Sequence, residues 1–137
     1  MSYEYYLQAC EDQAPQLIST DNILAVFAPY TVRKAPTFID LAFDEMNHCT
    51  IYLDTNETAT DGMMISRPCG TEAFVRCIYE VMLLGFFVFF EPDGHQPITL
   101  LAETEGHLME GMVESLGSPA VASSWEEFYA LWQHNPG

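Results

Sequence analysis

Apolar residues recur at helical spacing most clearly over residues 71–84, where Phe74, Cys77, Ile78, Val81 and Met82 share one side and Glu72, Arg76 and Glu80 the other. The spacing predicts an amphipathic helix, with Gly85 standing where a C-terminal cap belongs and a Glu72-to-Arg76 pair adding a few tenths of a kcal/mol. Directly after it, Phe86-Phe87-Val88-Phe89-Phe90 is apolar at every position. Such a run suits a strand covered on both faces, and it reads as the central strand of a sheet. Residues 37–43 and 49–53 are rich in β-branched and aromatic side chains, with Asp44-Glu45-Met46-Asn47-His48 between them as turn material, so they predict a β-hairpin.

The remaining elements are shorter. Residues 4–10 are aromatic and read as a first strand, and Asp21 is placed to cap a helix over 22–28 that Pro29 stops. Residues 55–62 read as an exposed, mobile loop, 63–66 as a strand, Pro92-Asp93-Gly94 as a turn and 98–102 as a returning strand. Over 103–116, Leu108, Met109, Met112, Val113 and Leu116 keep helical spacing, weakened by Gly106 and Gly111. Ser124-Trp125-Glu126-Glu127 is a capping box, followed by an aromatic stripe of Trp125, Phe128, Tyr129 and Trp132 that reads as core packing. The alternation predicts an α/β (α+β) fold: one domain over 1–137, with a mixed sheet of about four to six strands and three to four helices packed on it.

Composition supports a single folded unit. The chain has 137 residues, 49% of them apolar and 13% aromatic, which is enough to build a core without disulfides or a structural metal. Cys10, Cys49, Cys69 and Cys77 form no Cys-x-x-Cys pair and read as reduced thiols, mostly core filler. The N-terminal residues lack the pattern of a secretory signal, and the most apolar run, 81–90, is about half the length a membrane span requires. A cytoplasmic protein without a membrane segment is expected.

Charge narrows the function more than any motif does. Twenty acidic side chains against four basic ones give a formal net charge of −16, which argues against direct binding of nucleic acid. No Gly-x-Ser-x-Gly elbow, phosphate-binding loop or His-Glu-x-x-His is present, so no catalytic residue is assigned. His48 and Cys49 are adjacent, but neighbouring strand residues face opposite ways, which argues against a dyad. Glu103, His107 and Glu110 have a spacing that can hold a metal on one helix face; with a single histidine they read instead as a solvated acidic face. Neither metal nor cofactor is expected.

All four basic residues, Arg33, Lys34, Arg67 and Arg76, precede residue 77, whereas residues 77–137 carry Glu80, Glu91, Asp93, Glu103, Glu105, Glu110, Glu114, Glu126 and Glu127. A surface so one-sided steers a positively charged partner into fast, salt-sensitive encounter. In small size, acidity, compact α/β pattern and absence of catalytic motifs, the chain resembles the small acidic immunity proteins that bacteria use against polymorphic toxins of contact-dependent and type VI delivery systems. The resemblance implies an inhibitor whose acids meet the basic cleft of a cognate toxin. The predicted contact residues are Glu91, Asp93 and His95 in the turn, with Glu103, Glu105, Glu110 and Glu114 on the following helix. Two alternatives stand beside it: a DNA mimic that fills the cleft of a nucleic-acid-binding protein, and a small enzyme or ligand-binding domain with a pocket beside the central strand where His95 and His107 converge.

Overall fold

The computed structural model describes residues 4–91 and 96–133. The chain opens with β1 (Glu4–Glu11), β2 (Ala14–Pro15) and β3 (Ile18–Ser19), then α1 (Thr20–Phe27) and a single 3-10 turn over Ala28–Tyr30. There follow β4 (Thr31–Ala35), β5 (Phe38–Ala42), β6 (His48–Tyr52), β7 (Ala59–Thr60) and β8 (Gly62–Ser66). Helix α2 (Glu72–Met82) leads to β9 (Phe87–Phe90) and β10 (Ile98–Thr99), and the chain ends with α3 (Thr104–His107), α4 (Met112–Leu116), β11 (Ala120–Val121) and α5 (Trp125–Gln133).

The α+β class holds, with more strands than the sequence pattern predicts. One sheet runs in the order β11-β10-β9-β1-β8-β6-β5-β4, with β2 paired to β1, while β3 and β7 form a separate small ladder. Neighbours are antiparallel except β10 and β11. The expected hairpin is β5–β6, with Ile39 opposite Ile51 and Leu41 opposite Cys49. Its turn is fixed by Asp44, whose carboxylate accepts from the backbone N–H groups of Met46 and Asn47 and from the Asn47 amide. These donors, the Asn47 side chain first, hold the Asp44 carboxyl below its ordinary range.

Strands β8 and β9 both run antiparallel to β1, which lies between them, so they are parallel to each other and α2 is the crossover that joins them. This corrects the place of the phenylalanine run: β1 and β8 occupy the middle of the sheet, and β9 lies third from the β11 edge. It is nonetheless covered on both faces. Phe87 and Phe89 join the main core, while Val88 packs with Cys10 and Leu108 on the opposite face.

The main core takes alternate residues of the strands, Leu7, Ile39, Ile51, Ile65 and Phe87 among them, under Ile23 and Phe27 of α1, Phe74 and Ile78 of α2, and Phe128 of α5. The stripe on α5 is core, as expected: Trp132 meets the rings of Tyr5, Phe74, Phe89 and Phe128 at centroid distances of 5.2, 5.8, 4.9 and 6.1 Å. Its capping box forms in part, with the Ser124 hydroxyl accepting from the Glu127 N–H and the Glu127 carboxylate accepting from Ser123.

Four local expectations need correction. The α1 cap is Ser19, whose hydroxyl accepts from the Asn22 N–H, in place of Asp21. Gly85 is not a left-handed cap, since only Gly111 and Gly117 among the described glycines have positive φ; a Cβ on Gly85 would come within 2.5 Å of Ile18 Cδ1, so glycine there permits close approach. The stretch 55–62 is not wholly free loop, because β7 pairs with β3 and Thr20 N–H donates to the Thr58 carbonyl. The single helix expected over 103–116 is two short ones, broken where Leu108 takes an extended conformation and Gly111 turns left-handed at φ 89°.

Candidate functional site

The break at Leu108 decides how the acidic surface is displayed. Leu108 is buried beside Cys10 and Val88, and Met109, Met112 and Val113 pack around it. Burying these side chains strips the following residues of the option to continue one straight helix, and Gly111 supplies the reversal. The segment is also strapped to the β1–β2 turn: Gln13 N–H donates to the His107 carbonyl, and Asp12 N–H donates to His107 Nδ1 at 3.1 Å. Asp12 and Gln13 both adopt positive φ to make this turn. The His107 ring stacks on Phe86 at 4.2 Å, so the imidazole is held as a packing and hydrogen-bonding group.

On that scaffold Glu103, Glu105, Glu110 and Glu114 are all exposed. Three of them, Glu105, Glu110 and Glu114, rim a shallow depression of about 330 Å³ whose floor includes Leu108, Met109 and Val113, with Gln13 at its margin. Glu103 lies before α3 and outside this rim. One Glu105 oxygen accepts from the Ser118 hydroxyl at 2.8 Å, which fixes that carboxylate in place.

The other predicted contact residues fare differently. Glu91 is 3% exposed: it continues the alternation of Phe87 and Phe89 on the helix-covered side, and so offers no surface charge. Asp93 and His95 lie outside the described residues. The expected pocket between His95 and His107 therefore has only His107 in the described structure, stacked against Phe86. Beside β9 there is a small hollow of about 170 Å³, lined by Tyr79, Met82, Phe87 and Leu100 among others. A wider groove of about 510 Å³ runs between α1 and α2, where the Arg76 guanidinium lies 4.8 Å above the Trp125 ring. Among the described residues, no three His, Cys, Asp or Glu side chains are grouped to hold a metal ion, and no helix is long and apolar enough to cross a membrane.

Sequence reading missed a second surface feature. Phe90 pairs with Tyr6, Tyr6 with Met64, Met64 with Tyr52, and Tyr52 with Phe38. Directly paired residues share a face, so these side chains make one row across five strands on the side of the sheet away from the main core. Tyr6 and Phe90 stack with centroids 5.4 Å apart, and Arg33 lies 5.2 Å over the Phe38 ring. Tyr52 is 40% exposed. The row is invisible without strand register, although each member sits at an outward position of its own strand.

Comparison with protein-family models, with curated proteins and with solved structures returns no match for this chain.

Proposed function

We propose that this chain is a non-catalytic binding protein that neutralises a basic protein partner, acting as an immunity protein against a cognate bacterial toxin. The observation that supports the reading is the exposed acidic rim of Glu105, Glu110 and Glu114, with Glu103 beside it, in a stretch of chain from residue 77 onward that contains no Lys or Arg. Carboxylates held on short, strapped elements meet a basic cleft with little loss of side-chain and loop freedom beyond their own rotamers. Their summed field attracts a cationic surface from beyond contact range and repels acidic competitors. The apolar floor of the depression gives a docked lysine or arginine stem something to cover.

Zero-length cross-linking of carboxylates to amines tests this directly in a lysate of a bacterium that carries the protein. The expected product joins residues 103–114 to lysines of one basic protein, and the triple variant E105K/E110K/E114K loses it. Cross-links spread over all exposed acids in proportion to their number, or an unchanged product in the triple variant at low salt, would overturn the assignment.

A further inference from the structure

The aromatic row on the open face of the sheet and the acidic lid belong to one continuous surface. Phe90, Tyr6, Met64, Tyr52 and Phe38 follow one another across β9, β1, β8, β6 and β5. Neighbouring strands are about 4.8 Å apart, so the row is about 19 Å long. At one end Phe90 packs against the cluster of Cys10, Val88 and Leu108, and the same Leu108 floors the depression that Glu105, Glu110 and Glu114 rim. At the other end the rings of Tyr52 and Phe38 have centroids 6.1 Å apart, and the Arg33 guanidinium lies 5.2 Å over Phe38.

Burial marks the row as surface rather than core. Tyr6, Met64, Phe90 and Phe38 are half-buried and Tyr52 is exposed, although the same strands bury Leu7, Ile51 and Ile65 completely on the other side. Rings and a methionine bordered by charge make up the kind of patch that forms the centre of a protein interface. Arg33 shows which group the patch accepts: a planar guanidinium drawn to the face of a ring. Among the described residues it is the one cation placed over the row. Charge then selects the occupant. A second copy would bring a chain of net charge −16 against another, whereas a cationic surface is attracted to the lid and reaches the rings beside it. Arg33 repels cations at the far end, which orders such a partner along the row with its basic part toward Phe90.

Resting on the reading of this chain as a binder of a basic protein, we propose that the aromatic row is the centre of that interface and takes arginine side chains of the partner on the faces of Tyr52 and Tyr6. The lid carboxylates pair with cations next to them. The lid then governs how fast the partner arrives, and the row how long it stays. Arginine suits the row better than lysine, because a flat, weakly hydrated guanidinium lies on a ring and keeps its N–H groups in plane for acceptors at the ring edge. Ser66 and Asp40, two residues along from Met64 and Phe38 on the same face, supply such acceptors. The Asp40 carboxylate is already held in place by the Thr50 hydroxyl, which donates to it at 2.7 Å.

The test uses the full chain with methyl-labelled methionine, followed by NMR, and two probes of equal charge, the amides of hexa-arginine and hexa-lysine. Met64 lies between Tyr6 and Tyr52 and reports on the row, Met109 and Met112 report on the lid, and Met46, 87% exposed in the acidic β5–β6 turn, is the control. Hexa-arginine should move the Met64 methyl more than the Met46 methyl and bind about fivefold or more tighter than hexa-lysine. Tyr52→Thr should reduce that preference to about twofold or less. Equal affinity for the two peptides, a larger shift at Met46 than at Met64, or a Met64 shift that grows with protein concentration alone and so marks a second copy would each overturn the proposal. So would movement of Met109 and Met112 with Met64 still, an outcome that leaves the acidic reading standing. In E105K/E110K/E114K hexa-arginine should bind more weakly and still move Met64; unchanged affinity with Met64 moving would support the row and tell against the acidic rim.

Discussion

On one face of the sheet Leu7, Ile51, Ile65 and Phe87 are at most 2% exposed beneath α1, α2 and α5; on the other, their strand neighbours Tyr6, Tyr52, Met64 and Phe90 are only partly covered. The same strands build both faces, and alternation alone assigns each residue to one or the other. The helix-covered face holds most of the buried apolar area, and hence most of the hydrophobic stabilisation. Among the described residues the opposite face is covered at the β9 end, where Leu108, Met109, Met112 and Val113 sit over Cys10 and Val88. Surface chemistry is concentrated where the lid is thin: the acidic rim stands on that short lid, and the aromatic row lies in the part of the face away from the main core. A chain built this way can vary the open face at small cost to the fold.

Substitution on the covered face gives the largest expected effect. Phe74 is 0% exposed and edge-on to Phe43 and Trp132, so Phe74→Ala should cost about 3–5 kcal/mol, read by urea denaturation. A loss under about 1 kcal/mol would dissolve the contrast between the faces. Next is the backbone that both faces share. A Cβ on Gly62 would come within 2.6 Å of the Leu7 carbonyl oxygen, part of a paired strand that cannot swing aside, and Gly62→Ala should lower the denaturation midpoint by an amount equal to about 1–3 kcal/mol. That result would sharpen the contrast, since it locates the tolerance of the open face in its side chains alone.

Tyr52→Thr removes one ring from the aromatic row and puts a β-branched side chain suited to a strand in its place, and should cost about 0.2–1 kcal/mol of thermal stability. A cost like that of Phe74→Ala would mean the open face is a second core. Least of all, E105K/E110K/E114K should leave stability within about 0.5 kcal/mol per site, by the same denaturation assay, because these carboxylates are exposed and one mainly bonds Ser118. Paired with loss of partner capture, that outcome would separate binding from folding on the acidic lid.

Periodicity made α2, α5 and the β5–β6 hairpin legible, because each is long enough to show its spacing and each buries one side only. Strand β4 escaped notice: Val32, Arg33 and Lys34 are all exposed on a sheet edge, where charge protects the strand and erases the apolar alternation. The two-residue strands carry too little pattern to be seen at all. Over 103–116 the helical spacing was real, yet Leu108 was needed as a plug over Cys10 and Val88, and tertiary burial overrode it. At the candidate site, charge alone located the exposed acids. It could not separate Glu91 from them, since strand alternation rather than residue type buries that carboxylate. The aromatic row depends on strands that meet only after the sheet is assembled, and no local pattern encodes it.

The place of β1 between two strands joined by α2 has a consequence for how the molecule comes into being. A ribosome delivers Glu4–Glu11 before the other strands described, but one neighbour of that strand is made only at residues 62–66 and the other only at 87–90. Until then its sole sheet partner is the two-residue β2, while β4, β5, β6 and β8 can already pair in succession as they emerge. The strand made ahead of the others is therefore closed on its second side only after the β4–β5–β6–β8 ladder can exist, and the nascent chain carries an aromatic strand with an open edge until residues 87–90 emerge.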